Sequence, residues 1–183
     1  MKILIAEDDP ISQKILRVTL ENAGHEVTAA NDGREAWEKF ILKPVPVVIS
    51  DWMMPELDGV EFCKKLRTRR SKDYTYFILL TARSDRENYI QAMEAGVDDF
   101  MAKPLRPDEL AIRLRVAERI LNFTNQVREL KRLLPICSYC KKVRDDKDYW
   151  HQIETYIHKQ TGTDFSHGIC PTCYEEHVKP QLG

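Results

Sequence analysis

Over roughly residues 1–120, short apolar runs alternate with stretches whose apolar residues recur at helical spacing. Lys2–Ala6 (KILIA) reads as a buried strand. Pro10 suits the first turn of a helix, and Ile11, Ile15, Leu16 and Leu20 then repeat with helical period until Gly24 stops it. The alternation continues with HEVTAA (25–30) as a strand and DGREAWEKFIL (32–42) as a helix with Ala36, Trp37, Phe40 and Ile41 on one face. VPVVISD (45–51) is a strand, VEFCKKLRTRR (60–70) a helix and YFILLTA (76–82) a strand. DRENYIQAMEAG (85–96) is a helix closed by Gly96, and DDFMAKP (98–104) holds a short fifth strand. The strands are apolar without clean alternation, which is the pattern of a parallel sheet covered on both faces. The predicted class is α/β, a doubly wound five-stranded parallel sheet.

In such a sheet the functional groups gather at the carboxyl ends of the strands. Glu7, Asp8 and Asp9 follow strand one, Asp51 ends strand three, Thr81 ends strand four, and Lys103 with Pro104 follows strand five. Packed carboxylates repel one another and invite a hard divalent cation with oxygen ligands, Mg2+ before others. Asp51 then presents a carboxylate oxygen to phosphorus while Thr81 and Lys103 hold phosphoryl oxygens, which is phosphoryl transfer by positioning and charge neutralisation. Taken singly, a strand-end Asp or Thr is usually a helix cap or turn residue. Their order along one fold sets them apart.

The motifs AEDDP, DWMMPELDG, LLTAR and DDFMAKPL, in this order and spacing, resemble the receiver domain of two-component response regulators over about residues 1–120. The resemblance implies a flavodoxin-like strand order, 2-1-3-4-5, and makes Asp51 the acceptor of a phosphoryl group from a histidine kinase or phosphotransfer protein. It implies Mg2+ held by Glu7, Asp8, Asp51 and the backbone carbonyl of Met53. Thr81 and Lys103 match the switch hydroxyl and the phosphate-binding lysine, and Phe100 the aromatic switch position. The family commonly has Tyr there, so a switch that uses a phenol hydrogen bond is lost and ring burial is left to report the state. Such a protein is not an enzyme in its own right, but a phosphoacceptor that assists its own phosphorylation and dephosphorylation. The expected switch is local: about two negative charges arrive at Asp51, Thr81 is drawn toward them, and Phe100 turns inward. The surface of helix four, strand five and helix five then changes.

From Pro107 to Leu134 the chain has no Gly and no further Pro, and Asp108 and Glu109 suit a helix N-terminus. Leu110, Ala111 and Leu114 belong to the receiver core. Val116, Ile120, Phe123, Val127, Leu130 and Leu134 then follow at alternating steps of four and three, a heptad seam. Arg113, Arg115, Glu118, Arg119, Arg128, Glu129, Lys131 and Arg132 flank it. The expected element is helix five extended over 107–134 as a coiled-coil linker of a parallel homodimer. Docking of this helix on the C-terminal unit is the alternative.

Four of the five cysteines lie in the last fifty or so residues, a segment too short for a large core. Cys63 sits in a helical pattern and reads as a small core residue. Cys137 and Cys140 form one CxxC, Cys170 and Cys173 another. A thioredoxin-like redox pair belongs after a strand and at the start of a helix, whereas the first CxxC follows a helix and Pro135. Two such pairs read better as two knuckles around one tetrahedral Zn2+, a closed structural site that supplies no hydrolytic chemistry. His167 and His177 are alternative ligands. The segment between the pairs must itself fold, and Trp150, Ile153, Tyr156 and Ile157 fit one face of a short helix. The expected organisation is a receiver over 1–120, the linker helix over 107–134 and a zinc-binding unit over 135–183. The tail also resembles cysteine-rich tails of bacterial sensory and signalling proteins, a likeness that carries no biochemical role.

The formal net charge of −1 advertises neither nucleic acid nor an acidic membrane. No apolar run reaches membrane-spanning length, and MKILIAEDDP lacks the long apolar region of a signal peptide, so a cytoplasmic protein without membrane insertion is expected. The leading expectation is a response regulator whose phosphorylation switches contact with a downstream protein. A DNA-binding regulator acting through the zinc unit is the alternative, with CKKVR and RELKRLL as its basic segments. DNA is the less expected partner, because no helix-turn-helix pattern follows the receiver. An enzymatic tail finds no support in any nucleotide loop, Ser-His-Asp set or open metal site.

Overall fold

The computed structural model describes residues 1–69, 73–82, 86–131, 134–145 and 147–181, with the backbone only for 86–89, 130 and 131. Arg83 and Arg132, and the side chains of Leu130 and Lys131, all used above, lie outside the described residues. The chain divides into two compact units, Met1–Arg128 and Glu129–Gly183.

The first unit holds β1 (Lys2–Ala6), α1 (Pro10–Asn22), β2 (Glu26–Ala30), α2 (Gly33–Leu42), β3 (Val47–Asp51), α3 (Gly59–Thr68), β4 (Tyr76–Thr81), α4 (Arg86–Glu94), β5 (Asp99–Ala102) and the receiver part of α5 (Pro107–Lys131). The five strands are parallel in the order β2-β1-β3-β4-β5, as expected. Because successive side chains of a strand point to opposite faces, one set of alternate residues enters each layer. Ile3, Ile5, Val47, Ile49, Tyr76, Ile78 and Leu80 pack with Leu16 and Leu20 of α1 and with Leu110, Leu114, Ala117 and Leu121 of α5. Leu4, Ala6, Val48, Phe77 and Leu79 pack with Ala36 and Phe40 of α2, with Val60, Phe62, Cys63 and Leu66 of α3, and with Ala92 of α4. Phe62 meets Phe77 edge to face at 5.5 Å, a contact favoured by the ring quadrupoles beyond simple area burial.

Caps fix the helix starts. Asp9, Asp32 and Asp58 each accept a hydrogen bond from the backbone N–H three residues on, at 2.7–2.8 Å, satisfying N–H groups that the helix leaves open. Of the four apolar positions predicted on α1, Leu16 and Leu20 are buried, whereas Ile11 and Ile15 face solvent. On α2, Ala36 and Phe40 are buried and Ile41 is exposed. Helix α5 is packed on the sheet as far as Leu121 and continues to Lys131. Leu134, expected on it, is not helical. It precedes Pro135, and a proline ring disfavours the α conformation in the residue before it.

The second unit holds β6 (Val143–Arg144), β7 (Trp150–His151), α6 (Ile153–Thr161) and α7 (Pro171–Cys173), followed by a π-helical turn at Tyr174–Val178 and a 3-10 turn at Lys179–Gln181. Trp150, expected on the helix with Ile153, Tyr156 and Ile157, is in β7 instead. Asp145 accepts hydrogen bonds from the N–H of Lys147 and Tyr149 and pairs with His151 at 2.7 Å, which folds Trp150 back on Arg144 as an antiparallel strand.

Cys63 is fully buried, and burial pushes its thiol up to about 11, so the thiolate that reacts is scarce and enclosed. In chelator-treated protein at mildly alkaline pH, the tail cysteines should react promptly with an aromatic disulfide reagent, and Cys63 only as the receiver unfolds. Prompt reaction at Cys63 in the folded protein would count against this packing.

Candidate functional site

The strand-end groups named above are carried to the same edge of the sheet by the register of the central strands. Glu7 follows β1, and Asp51 ends the neighbouring β3. Thr81 ends β4 opposite Ala102, so Lys103 follows directly beside it and donates its backbone N–H to the Thr81 carbonyl at 2.8 Å. The Lys103–Pro104 peptide is cis. Asp51 is held from both sides. Trp52 donates its N–H to the carbonyl of Leu80 at 2.9 Å, and Gly59 donates to the carbonyl of Trp52 at 2.9 Å. A Cβ on Gly59 would stand 2.2 Å from the Asp51 carbonyl oxygen, so the start of α3 can close on the strand end only as glycine.

The side chains then meet. Lys103 Nζ donates to Asp51 Oδ2 at 2.6 Å and to both oxygens of Glu7 at 2.8 and 2.9 Å. Glu7 is 1% exposed, and Asp51 and Thr81 are buried as well. Asp8 is exposed, and its carboxylate lies with those of Glu7 and Asp51 in one group whose oxygens fall within 4.8 Å of one another. Burial pushes the Glu7 carboxyl above its usual range and the Asp51 charge adds to this, while the Lys103 hydrogen bond opposes it. For Lys103, burial disfavours the ammonium, but the hydrogen bonds and charges of Asp51 and Glu7 outweigh it and raise its pKa.

Asp9, third of the acids after β1, does not join this group. Its carboxylate caps α1, and the backbone N–H of Ser12 holds it below the usual carboxylate range. Met53 stands two residues past Asp51 with an exposed side chain. Phe100 lies in β5, partly buried against the layer that contains Trp52 and Leu79. Two supports escaped periodicity. Gln13 donates to the carbonyls of Glu7 and Ala30, both at 3.0 Å, and ties α1 to the strand end that carries the acids. Arg67 donates to the carbonyls of Gly96 and Thr75 and to Asp98 at 2.6–2.8 Å, and Asp98 in turn accepts from the Phe77 N–H. Both are polar residues of amphipathic helices, and nothing in a hydrophobic pattern separates them from a solvated face.

A set of hard oxygen donors that repel one another, at the C-terminal edge of a doubly wound sheet, fits a hard divalent cation. The residues present therefore match the requirement for Mg2+. The model of the response regulator receiver domain matches residues 3–115. The chain belongs to the response regulator receiver family. It is 34% identical over 118 residues to the transcriptional regulatory protein ResD of Bacillus subtilis (strain 168), a match that covers 64% of this chain and 48% of that protein. Identity to the alkaline phosphatase synthesis transcriptional regulatory protein PhoP of the same strain is 35% over 118 residues, again with 64% and 48% covered. Among solved structures, the Vibrio cholerae chemotaxis protein CheY4 matches with a TM-score of 0.60 at 32% identity, over 63% of this chain and 97% of that one. The chain spans about half the length of the curated relatives it matches. These matches are to the receiver. No helix among the described residues is long and apolar enough to cross a membrane.

The four tail cysteines form two pairs. In the first, backbone hydrogen bonds from Cys140 and Tyr139 hold the Cys137 thiol below its usual range, and the two thiols of the pair interact. In the second, the Cys173 N–H points to Cys170 Sγ at 3.5 Å, and this bond lowers Cys170. The pairs are not drawn together: among the described residues, Glu7, Asp8 and Asp51 make the one group of three or more metal-ligating side chains. His167 and His177 are exposed.

Replacing Lys103 by Ala leaves buried carboxylates facing each other without their shared cation, at a cost of about 3 kcal/mol. A divalent ion relieves the same repulsion. The Lys103→Ala variant should melt below wild type without Mg2+ and regain more stability than wild type when Mg2+ is added. Equal Mg2+ dependence of the two melting curves would show that Lys103 does not share its carboxylates with the ion.

Proposed function

We propose that the chain is a two-component response regulator whose Asp51 takes a phosphoryl group from the phosphohistidine of a histidine kinase or phosphotransfer protein, and that this switches contact with a downstream protein. The observation that carries the reading is the Lys103 ammonium shared between Asp51 and Glu7 at the strand ends of a receiver fold. An Asp51 carboxylate oxygen forms the new P–O bond as the P–N bond breaks, and the imidazole of the donor leaves with the electron pair. Lys103 neutralises phosphoryl oxygens, and the Thr81 hydroxyl accompanies it from the next strand end. Mg2+, held by Glu7, Asp8, Asp51 and the Met53 carbonyl, supplies further charge neutralisation at phosphorus. The same geometry serves the hydrolysis of the aspartyl phosphate, so the protein assists its own reset while its role remains that of a phosphoacceptor. A cytoplasmic location follows from this reading.

The switch extends to Phe100 and α5. Drawing Thr81 toward the phosphate changes the packing that Phe100 meets, and ring burial reports the state. Arg113 ties α5 to β5 through Asp99, and to its own first turns through Glu109. The seam on α5 is exposed at Ile120, Phe123 (68%) and Val127 (50%), which supports a parallel homodimer through this helix. In the tail, Cys137, Cys140, Cys170 and Cys173 hold one Zn2+, a choice favoured by four soft thiolate ligands.

A second reading, control of transcription through the tail, is favoured by the names of ResD and PhoP. The match to them is confined to the receiver, so it does not reach any output segment. Duplex binding that weakens steeply with salt and strengthens on phosphorylation would move the conclusion to it.

Asp51→Asn should abolish labelling of the protein by acetyl phosphate in the presence of Mg2+, measured by intact mass, while leaving the fold unchanged by circular dichroism. Undiminished labelling of that variant defeats the assignment. In sedimentation, the wild type should run as a dimer and Phe123→Glu/Val127→Glu as a monomer that still takes the label at Asp51. An unaltered mass for this variant would place the dimer contact, if one forms, on another surface.

A further inference from the structure

The unit Glu129–Gly183 has two built cysteine pairs and almost no interior. Among its described residues Val143 is the one buried hydrophobic side chain, whereas Tyr139, Trp150, Phe165, Ile169 and Tyr174 are exposed. A segment of this size with one buried apolar residue cannot offset the entropy of ordering its chain, and such units are stabilised by a cross-link.

Each cysteine pair is already shaped by the backbone. Cys137 donates its N–H to the Lys142 carbonyl at 2.8 Å, and Lys141 donates to the Cys137 carbonyl at 3.0 Å. Lys141 has φ 60, which turns the chain sharply after Cys140. Ile136 bridges Val143, and Val143 pairs with His151. The first pair therefore sits in the tight turn at one end of a small antiparallel sheet. The second pair is built differently. Cys170 caps α7 and Cys173 ends it, so the two thiols lie three residues apart on one helical turn and share a face. Pro171 occupies the first helical position, where its missing N–H costs nothing. A knuckle in a hairpin and a pair in the first turn of a helix are the two halves of a tetrahedral thiolate site.

We propose that binding of one Zn2+ is the folding step of this unit: the ion joins the hairpin pair to the helical pair, seats the Cys170 turn against the sheet, and encloses the aromatic side chains that now face solvent. This rests on the zinc reading above and adds that metal binding and tail folding are one equilibrium. In the step, four thiols lose their protons to solvent and four Zn–S bonds form, with no change of oxidation state. The consequence is an output unit presented in folded form only while zinc is bound to reduced thiols. Availability of Zn2+ then gates the tail independently of phosphorylation at Asp51.

The test uses the full chain, treated with a chelator and then titrated with Co2+ as a visible probe, followed by Zn2+. Ligand-field and charge-transfer bands report the thiolate site, and hydrogen exchange of amides 135–181 reports the fold. Bands and protection should rise together and saturate at one equivalent. At free metal a hundredfold above Kd, tail protection should be about 100-fold higher than without metal, with receiver amides unchanged. Cys170→Ser/Cys173→Ser should lose the four-thiolate bands and the protection, yet still take the acetyl phosphate label. Bands without a gain in protection, or full protection in the chelator, overturn the coupling and leave the zinc reading standing. Absence of bands at every Co2+ concentration overturns the zinc reading itself.

Discussion

The receiver depends on one shared proton-rich group. Glu7 and Asp51 end neighbouring strands, and the fold pushes both carboxylates into an edge almost closed to water. Such a pair is intolerable without a cation. Lys103 supplies it from the end of β5, on the far side of β4. Its long side chain reaches back across the strand end of Thr81 to bond three carboxylate oxygens. The ammonium thus compensates carboxylate charge that a divalent ion would otherwise be needed to balance. The site is poised because Lys103 bonds carboxylates now and has the chemistry to bond phosphoryl oxygens later.

Sheet order makes this possible. With β1 and β3 adjacent in the middle and β4 and β5 following on one side, the residues just past each carboxyl end fall within reach although Glu7 and Lys103 are 96 positions apart in the chain. The layers on the two faces fix that order through strict alternation, odd positions of β1 and β3 to one side and even positions to the other. Gly59 completes the edge, since any side chain there would collide with the backbone of Asp51.

Most of this was legible in the chain because strand runs and helical spacing are local signals. The strand-end residues could be listed as soon as the strands were placed. What was not legible depended on partners distant in sequence or on geometry within one turn. Asp9 looks equivalent to Asp8 in a row of acids, yet its place just before Pro10 makes it a cap and takes it out of the metal group. Ile11 and Ile15 have helical spacing with Leu16 and Leu20 but sit on the outer side of α1; period alone does not say where a stripe ends. Trp150 fits a helical face by spacing, and the Asp145 turn nevertheless places it in a hairpin. Arg67 and Asp98 form a half-buried brace that no pattern of apolar residues can announce.

The tail extends the same physics to a segment with too little hydrophobic surface enclosed to fold by burial. In the receiver, two apolar layers hold the strands and so bring like charges together, and a cation then settles the electrostatics. In the tail the sequence of causes runs the other way. The backbone shapes each thiol pair locally, through a left-handed turn at Lys141 and a helix start at Pro171, but among the described residues of the tail only Val143 is a buried hydrophobic side chain. In the folding step proposed above, a cation with affinity for thiolates is the organising interaction and the burial of aromatic side chains its result. Helix α5 is tied to β5 by Arg113 through Asp99, and thereby to the strand that Lys103 follows. That strand is only four residues long, the shortest in the sheet, and α5 continues past Leu121 with Phe123 and Val127 exposed. In the proposed reading, phosphorylation acts by charge at a strand edge, and metal binding acts by cross-linking a segment that encloses little apolar surface.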